Sequence, residues 1–98
     1  MAHTVVRNYD RTHGGTHIES VTIIRTDADA YPSGWNYSLH YGEIGGSTLL
    51  RYDNAHDREK GHERHTPDGI ERIDFPGMEE LYRQFRREIE SLPPGDTP

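Results

Sequence analysis

The sequence predicts an α+β fold, an antiparallel sheet of four to five strands with one C-terminal α-helix packed on one face. Three observations carry that expectation. Runs rich in β-branched and aromatic residues recur between residues 4 and 53, as pleated strands favour. Glycine pairs at positions 14–15 and 45–46 interrupt those runs and mark tight turns. Near the end, Met78, Leu81, Tyr82, Phe85, Ile89 and Leu92 recur at helical spacing and give a single apolar stripe.

Residues 4–9 read as a first strand and residues 10–15 as the turn that ends it. Residues 16–26 hold three isoleucines, a valine and three threonines, which predicts a long second strand. Pro32, Ser33 and Gly34 close a loop, after which Trp35, Tyr37, Leu39 and Tyr41 alternate with Asn36, Ser38 and His40. That period of two predicts a half-buried strand over 35–44. Gly45 and Gly46 turn the chain into a fourth strand over 47–53. Residues 54–69 are polar and lack apolar periodicity, so they read as a loop, and 70–75 as a short last strand. The helix is expected over 77–92, with Glu79 and Glu80 in its favoured first turn and Pro93 and Pro94 ending it. Arg83, Arg86 and Arg87 read as its solvated stripe. One domain over 1–92 and a disordered tail over 93–98 follow from these elements.

With 98 residues, 31% of them apolar, the chain has room for one thin core in which aromatic side chains supply much of the burial. Absence of cysteine excludes disulfides, thiolate metal sites and cysteine nucleophiles. No basic segment precedes an apolar run at the start, and no stretch reaches membrane-spanning length, so the chain reads as cytoplasmic, with no membrane partner. The net charge is −6, with ten arginines against a single lysine. Such a balance suits a high-salt organism and does not favour bulk nucleic-acid attraction. Neither a phosphate-binding glycine loop with its lysine, nor a dinucleotide fingerprint, nor a serine elbow is present.

The densest chemistry lies in Arg51-Tyr52-Asp53-Asn54-Ala55-His56, followed by His62-Glu63-Arg64-His65. Arginine, carboxylate and imidazoles together suit phosphodiester cleavage or metal binding. On a strand, Arg51 and Asp53 share a face. In an RNA-cleaving site Arg51 would hold the phosphate, His56 and His65 would move protons, and Asp53 would orient one imidazole. Tyr52 is a candidate proton donor or stacking surface, although strand tyrosines ordinarily pack. His40, Asn54, His62 and Arg64 are candidates for holding substrate, with Asn54 better suited to shaping the turn than to chemistry. His3, His13 and His17 read as surface residues. Three imidazoles within one segment also leave metal ligation open, although proven zinc motifs bring their ligands from two fixed elements.

Through Leu49-Leu50-Arg51-Tyr52-Asp53-Asn54-Ala55-His56, the spaced His62-Glu63-Arg64-His65 and the preceding Trp35-to-Gly42 strand, the chain resembles the TumE family of toxins over about residues 15–90. Its acidic, lysine-poor composition is like that of haloarchaeal members. The resemblance implies the toxin of a toxin–antitoxin pair, neutralised by a helix-turn-helix antitoxin and slowing translation by acting on RNA. Arg51, Tyr52, Asp53, Asn54, His56 and His65 match its motif. The preferred reading is a ribonuclease that uses no metal or other cofactor. Two alternatives stand beside it: a non-enzymatic interaction module, with a homodimer through the sheet serving equally well, and a metal-dependent toxin that modifies nucleotidyl or phosphoryl groups.

Overall fold

The computed structural model describes residues 2–55 and 61–94. Within them run β1 (His3–His13), β2 (His17–Thr26), β3 (Trp35–Glu43), β4 (Thr48–Asp53), β5 (His62–Thr66) and β6 (Gly69–Ile73), followed by α1 (Met78–Ile89). Each strand pairs antiparallel with its sequence neighbours, so the sheet is a meander in chain order. The expected architecture of one antiparallel sheet and one C-terminal helix is present, with six strands instead of four to five.

The additional strand is β5, inside the polar stretch read as a loop. It carries no aliphatic side chain, because His62 and Arg64 face α1 and complete the core margin by stacking and ion pairing. Glu63 and His65 lie on the other face. Hydrophobic alternation, the usual mark of a strand, is therefore absent although the pleat is real. β1 also runs four residues beyond its expected end, to His13. Gly14 and Gly15, at φ 61° and 72°, then make the turn into β2. A bulge at Tyr41/Gly42 shifts the β3–β4 register, and a Cβ on Gly42 would lie 2.6 Å from the Ser47 carbonyl oxygen.

One sheet face is covered by α1. Met78, Leu81, Phe85 and Ile89 pack on Val21, Ile23, Tyr37, Leu39, Tyr41, Leu50 and Tyr52. Removing such side chains from water contributes roughly 1.5–3 kcal/mol each, and this face holds the domain together. No helix among the described residues is long and apolar enough to cross a membrane.

Polar clasps fix the helix to the same face. The Glu19 carboxylate, wholly buried, accepts from Tyr9 Oη and, at 2.5 Å, from Arg86 Nη1, with His13 Nε2 at 2.9 Å. Burial alone would raise this carboxyl; the hydrogen bonds from Tyr9, Arg86 and His13 outweigh it and hold the group below its ordinary 4.5. Arg86 thus points inward, correcting the expectation of a solvated stripe. His17 is buried and stacks on Tyr41, while His13 meets the edge of the same ring. Both belong to the packed face instead of the surface, because they pair across the β1–β2 hairpin and meet the Tyr41 ring.

Candidate active site

The opposite face, away from α1, collects the chemistry. Cross-strand register places His40 opposite Arg51 and Arg51 opposite His65, a row of imidazole, guanidinium and imidazole across β3, β4 and β5. The neighbouring row is Ser38, Asp53 and Glu63. Adjacent strands lie about 4.8 Å apart, so neighbouring members of each row stand close enough to act on one phosphate.

Arg51 Nε forms an ion pair with Asp53 Oδ2 at 2.9 Å, and the Arg51 side chain remains 44% exposed while that of Asp53 is only 7% exposed. His65 Nε2 stands 3.2 Å from Asp53 Oδ2 and 3.4 Å from Glu63 Oε1. Neither approach is aligned as a hydrogen bond, and this buried nitrogen has no hydrogen-bond partner among the described residues. His40 Nε2 lies 3.0 Å from Thr48 Oγ1, which leaves Nδ1 for a substrate. Burial, and then the positive charge of Arg51, lower the His40 imidazole below its ordinary 6.5. It is therefore neutral near pH 7 and able to accept a proton.

The motif residues thus divide by face. Arg51, Asp53, His65 and His40 come together, whereas Tyr52, Arg64 and His62 turn toward α1. Tyr52 Oη bonds to Glu88 Oε1 and accepts from Gln84 Nε2 at 2.8 Å. Burial first, and then Glu88, push the phenol up to about 12. Arg64 reaches Glu88 at 2.6 Å and Glu71 at 3.0 Å. The ring of His62 stacks on Phe75 at 4.3 Å, with Nδ1 2.9 Å from Tyr37 Oη. Buried Asn54 accepts from the Tyr37 amide at 3.0 Å and donates to the Trp35 carbonyl at 2.6 Å, tying the end of β4 to the start of β3. His56 lies outside the described residues.

Glu63 did not stand out from the sequence, since its place beside Asp53 depends on β5 being a strand. The Thr66-Pro67-Asp68-Gly69 turn, which closes the β5–β6 pair, is the signal that could have revealed it.

No curated protein and no solved structure shows significant similarity to this chain. A family model described as Toxin TumE matches residues 3–93, from the first strand to beyond the helix. The match covers both rows of the open face and the helix behind them, and the chain belongs to the TumE toxin family.

Proposed function

We propose that this protein, a toxin by family, acts by cleaving RNA at the open-face row of His40, Arg51 and His65. What supports the reading is the register that sets one guanidinium between two imidazoles. In the reaction His40 takes the proton of the ribose 2′-hydroxyl. The 2′-oxygen then forms its bond to phosphorus, and the bond from phosphorus to the 5′-oxygen breaks. His65 gives its proton to that departing oxygen through Nδ1, the products being a 2′,3′-cyclic phosphate and a 5′-hydroxyl. Arg51 holds the phosphate and balances the charge that grows on it, while Asp53 holds Arg51 in an ion pair and lies 3.2 Å from His65 Nε2. Two rings and one cation complete this balance without water or a metal.

As a toxin component the protein implies an antitoxin, and a helix-turn-helix protein is the partner the family resemblance favours. The test is incubation of the purified protein with single-stranded RNA in the presence of a chelator. Fragments ending in a 2′,3′-cyclic phosphate, absent with Arg51→Ala, are expected. Intact RNA beside a folded, growth-inhibiting protein would sink the proposal.

A further inference from the structure

Glu63 is the open-face group that the cleavage reaction leaves unused. It faces Asp53 directly across β4 and β5, and like charges in directly opposed positions destabilise a sheet. Arg51 offsets the Asp53 charge, and among the described residues no ion pair from Arg51 to Glu63 accompanies it. Between the two carboxylates stands His65 Nε2, buried and without a hydrogen-bond partner among the described residues. Its distances of 3.2 Å and 3.4 Å to the two oxygens lie at and beyond the long end of the hydrogen-bond range, and neither contact is aligned as one. They match instead the separation of neighbouring ligands around one tetrahedral ion with bonds of about 2.0–2.1 Å, which is roughly 3.3–3.4 Å. One ligand atom from each of Asp53, Glu63 and His65 lies within 4.8 Å of the others.

We propose that Asp53, Glu63 and His65 bind a divalent first-row metal ion, with zinc the best fit, and that the bound ion inhibits the toxin. One imidazole and two carboxylates are ligands that zinc accepts in four-coordinate sites completed by water. The ion cancels the opposed charges of Asp53 and Glu63 and gives the orphaned His65 nitrogen a partner. Inhibition rests on the cleavage reading above: the ion takes the His65 ring out of proton transfer and draws Asp53 away from Arg51. Binding itself does not depend on that reading.

The experiment uses the full chain stripped with chelator, titrated with zinc chloride against a chromophoric zinc indicator. Cobalt(II) absorption reports tetrahedral coordination, and RNA cleavage is followed in the same samples. Glu63→Gln removes a ligand and lies outside the proposed cleavage machinery. One zinc per chain is expected for the parent protein, together with loss of cleavage on loading. Glu63→Gln should bind zinc at least about tenfold more weakly and cleave RNA normally in chelator. Circular dichroism confirms its fold, and a metal-dependent shift of the His65 ring nitrogen in NMR spectra locates the ion without any substitution. Absence of saturable binding, binding unchanged in Glu63→Gln, or an unmoved His65 resonance overturns the site. Zinc that accelerates cleavage overturns inhibition. If the stripped chain cleaves no RNA, the cleavage reading falls, and the titration with the His65 resonance decides the site alone.

Discussion

The two faces of the sheet carry similar side chains and treat them differently. On the helix face, Glu19 is surrounded by Tyr9, His13 and Arg86, and Glu88 is shared by Tyr52 and Arg64. On the open face, Arg51 is 44% exposed, and the His65 nitrogen nearest two carboxylates has no hydrogen bond among the described residues. A buried charge with every partner in place is a structural element whose disruption costs stability. Charged groups left partly unmatched at a surface are what a substrate or an ion can complete. The contrast separates residues that the motif alone puts side by side: Arg51 from Tyr52, and Arg64 from His65.

Predictions that break or sharpen this contrast run from large to small. Arg51→Ala should lower RNA cleavage by about 10²- to 10³-fold, the scale of losing a donor to developing charge, with an unchanged melting temperature. A drop in stability matching the lost activity would make the open face structural as well. Glu19→Ala should do the reverse. Leaving Arg86 and His13 beside an empty buried position costs about 3–5 kcal/mol, read by urea denaturation, while any activity remaining in the folded fraction stays normal.

Acid titration sharpens the same division. The folded-state Glu19 carboxyl lies below its ordinary 4.5, so its contribution is present above that value and is lost as pH falls through the lowered one. Urea midpoints should decline on acidification below about pH 4.5, and Glu19→Gln should flatten that decline. His40 is lowered from 6.5, so its neutral, proton-accepting form persists below that pH. The acid limb of the cleavage profile should therefore fall below pH 6.5 and vanish in His40→Ala. At the small end, Tyr52→Phe removes the bonds to Glu88 and Gln84 and should cost about 0.5–1.5 kcal/mol with cleavage unaffected. Loss of cleavage there would return Tyr52 to the site.

The fold was legible where side chains follow the usual physics of burial. Tyr37, Leu39 and Tyr41 alternate in β3, and Leu81, Phe85 and Ile89 recur at helical spacing in α1, as expected. β5 was hidden because a histidine and an arginine take the inward positions that aliphatic residues usually occupy. The pairing of Arg51 with Asp53 could be read from period two within β4. The approach of His65 could not, because it depends on a β4–β5 register that polar residues do not announce. Arg86 shows the same limit from the helix side. Its buried acceptor, Glu19, is 67 residues away in sequence, and nothing local distinguishes it from exposed Arg83 and Arg87.

The measurement that tests this division most directly is growth of cells expressing the intact protein, Arg51→Ala, His65→Ala or Tyr52→Phe, each checked for folding by circular dichroism. If toxicity resides on the open face, the intact protein and Tyr52→Phe arrest growth and fragment RNA, whereas folded Arg51→Ala and His65→Ala do neither. Growth arrest by folded Arg51→Ala and His65→Ala, or its loss only in folded Tyr52→Phe, would contradict the account and move the active surface to the helix side.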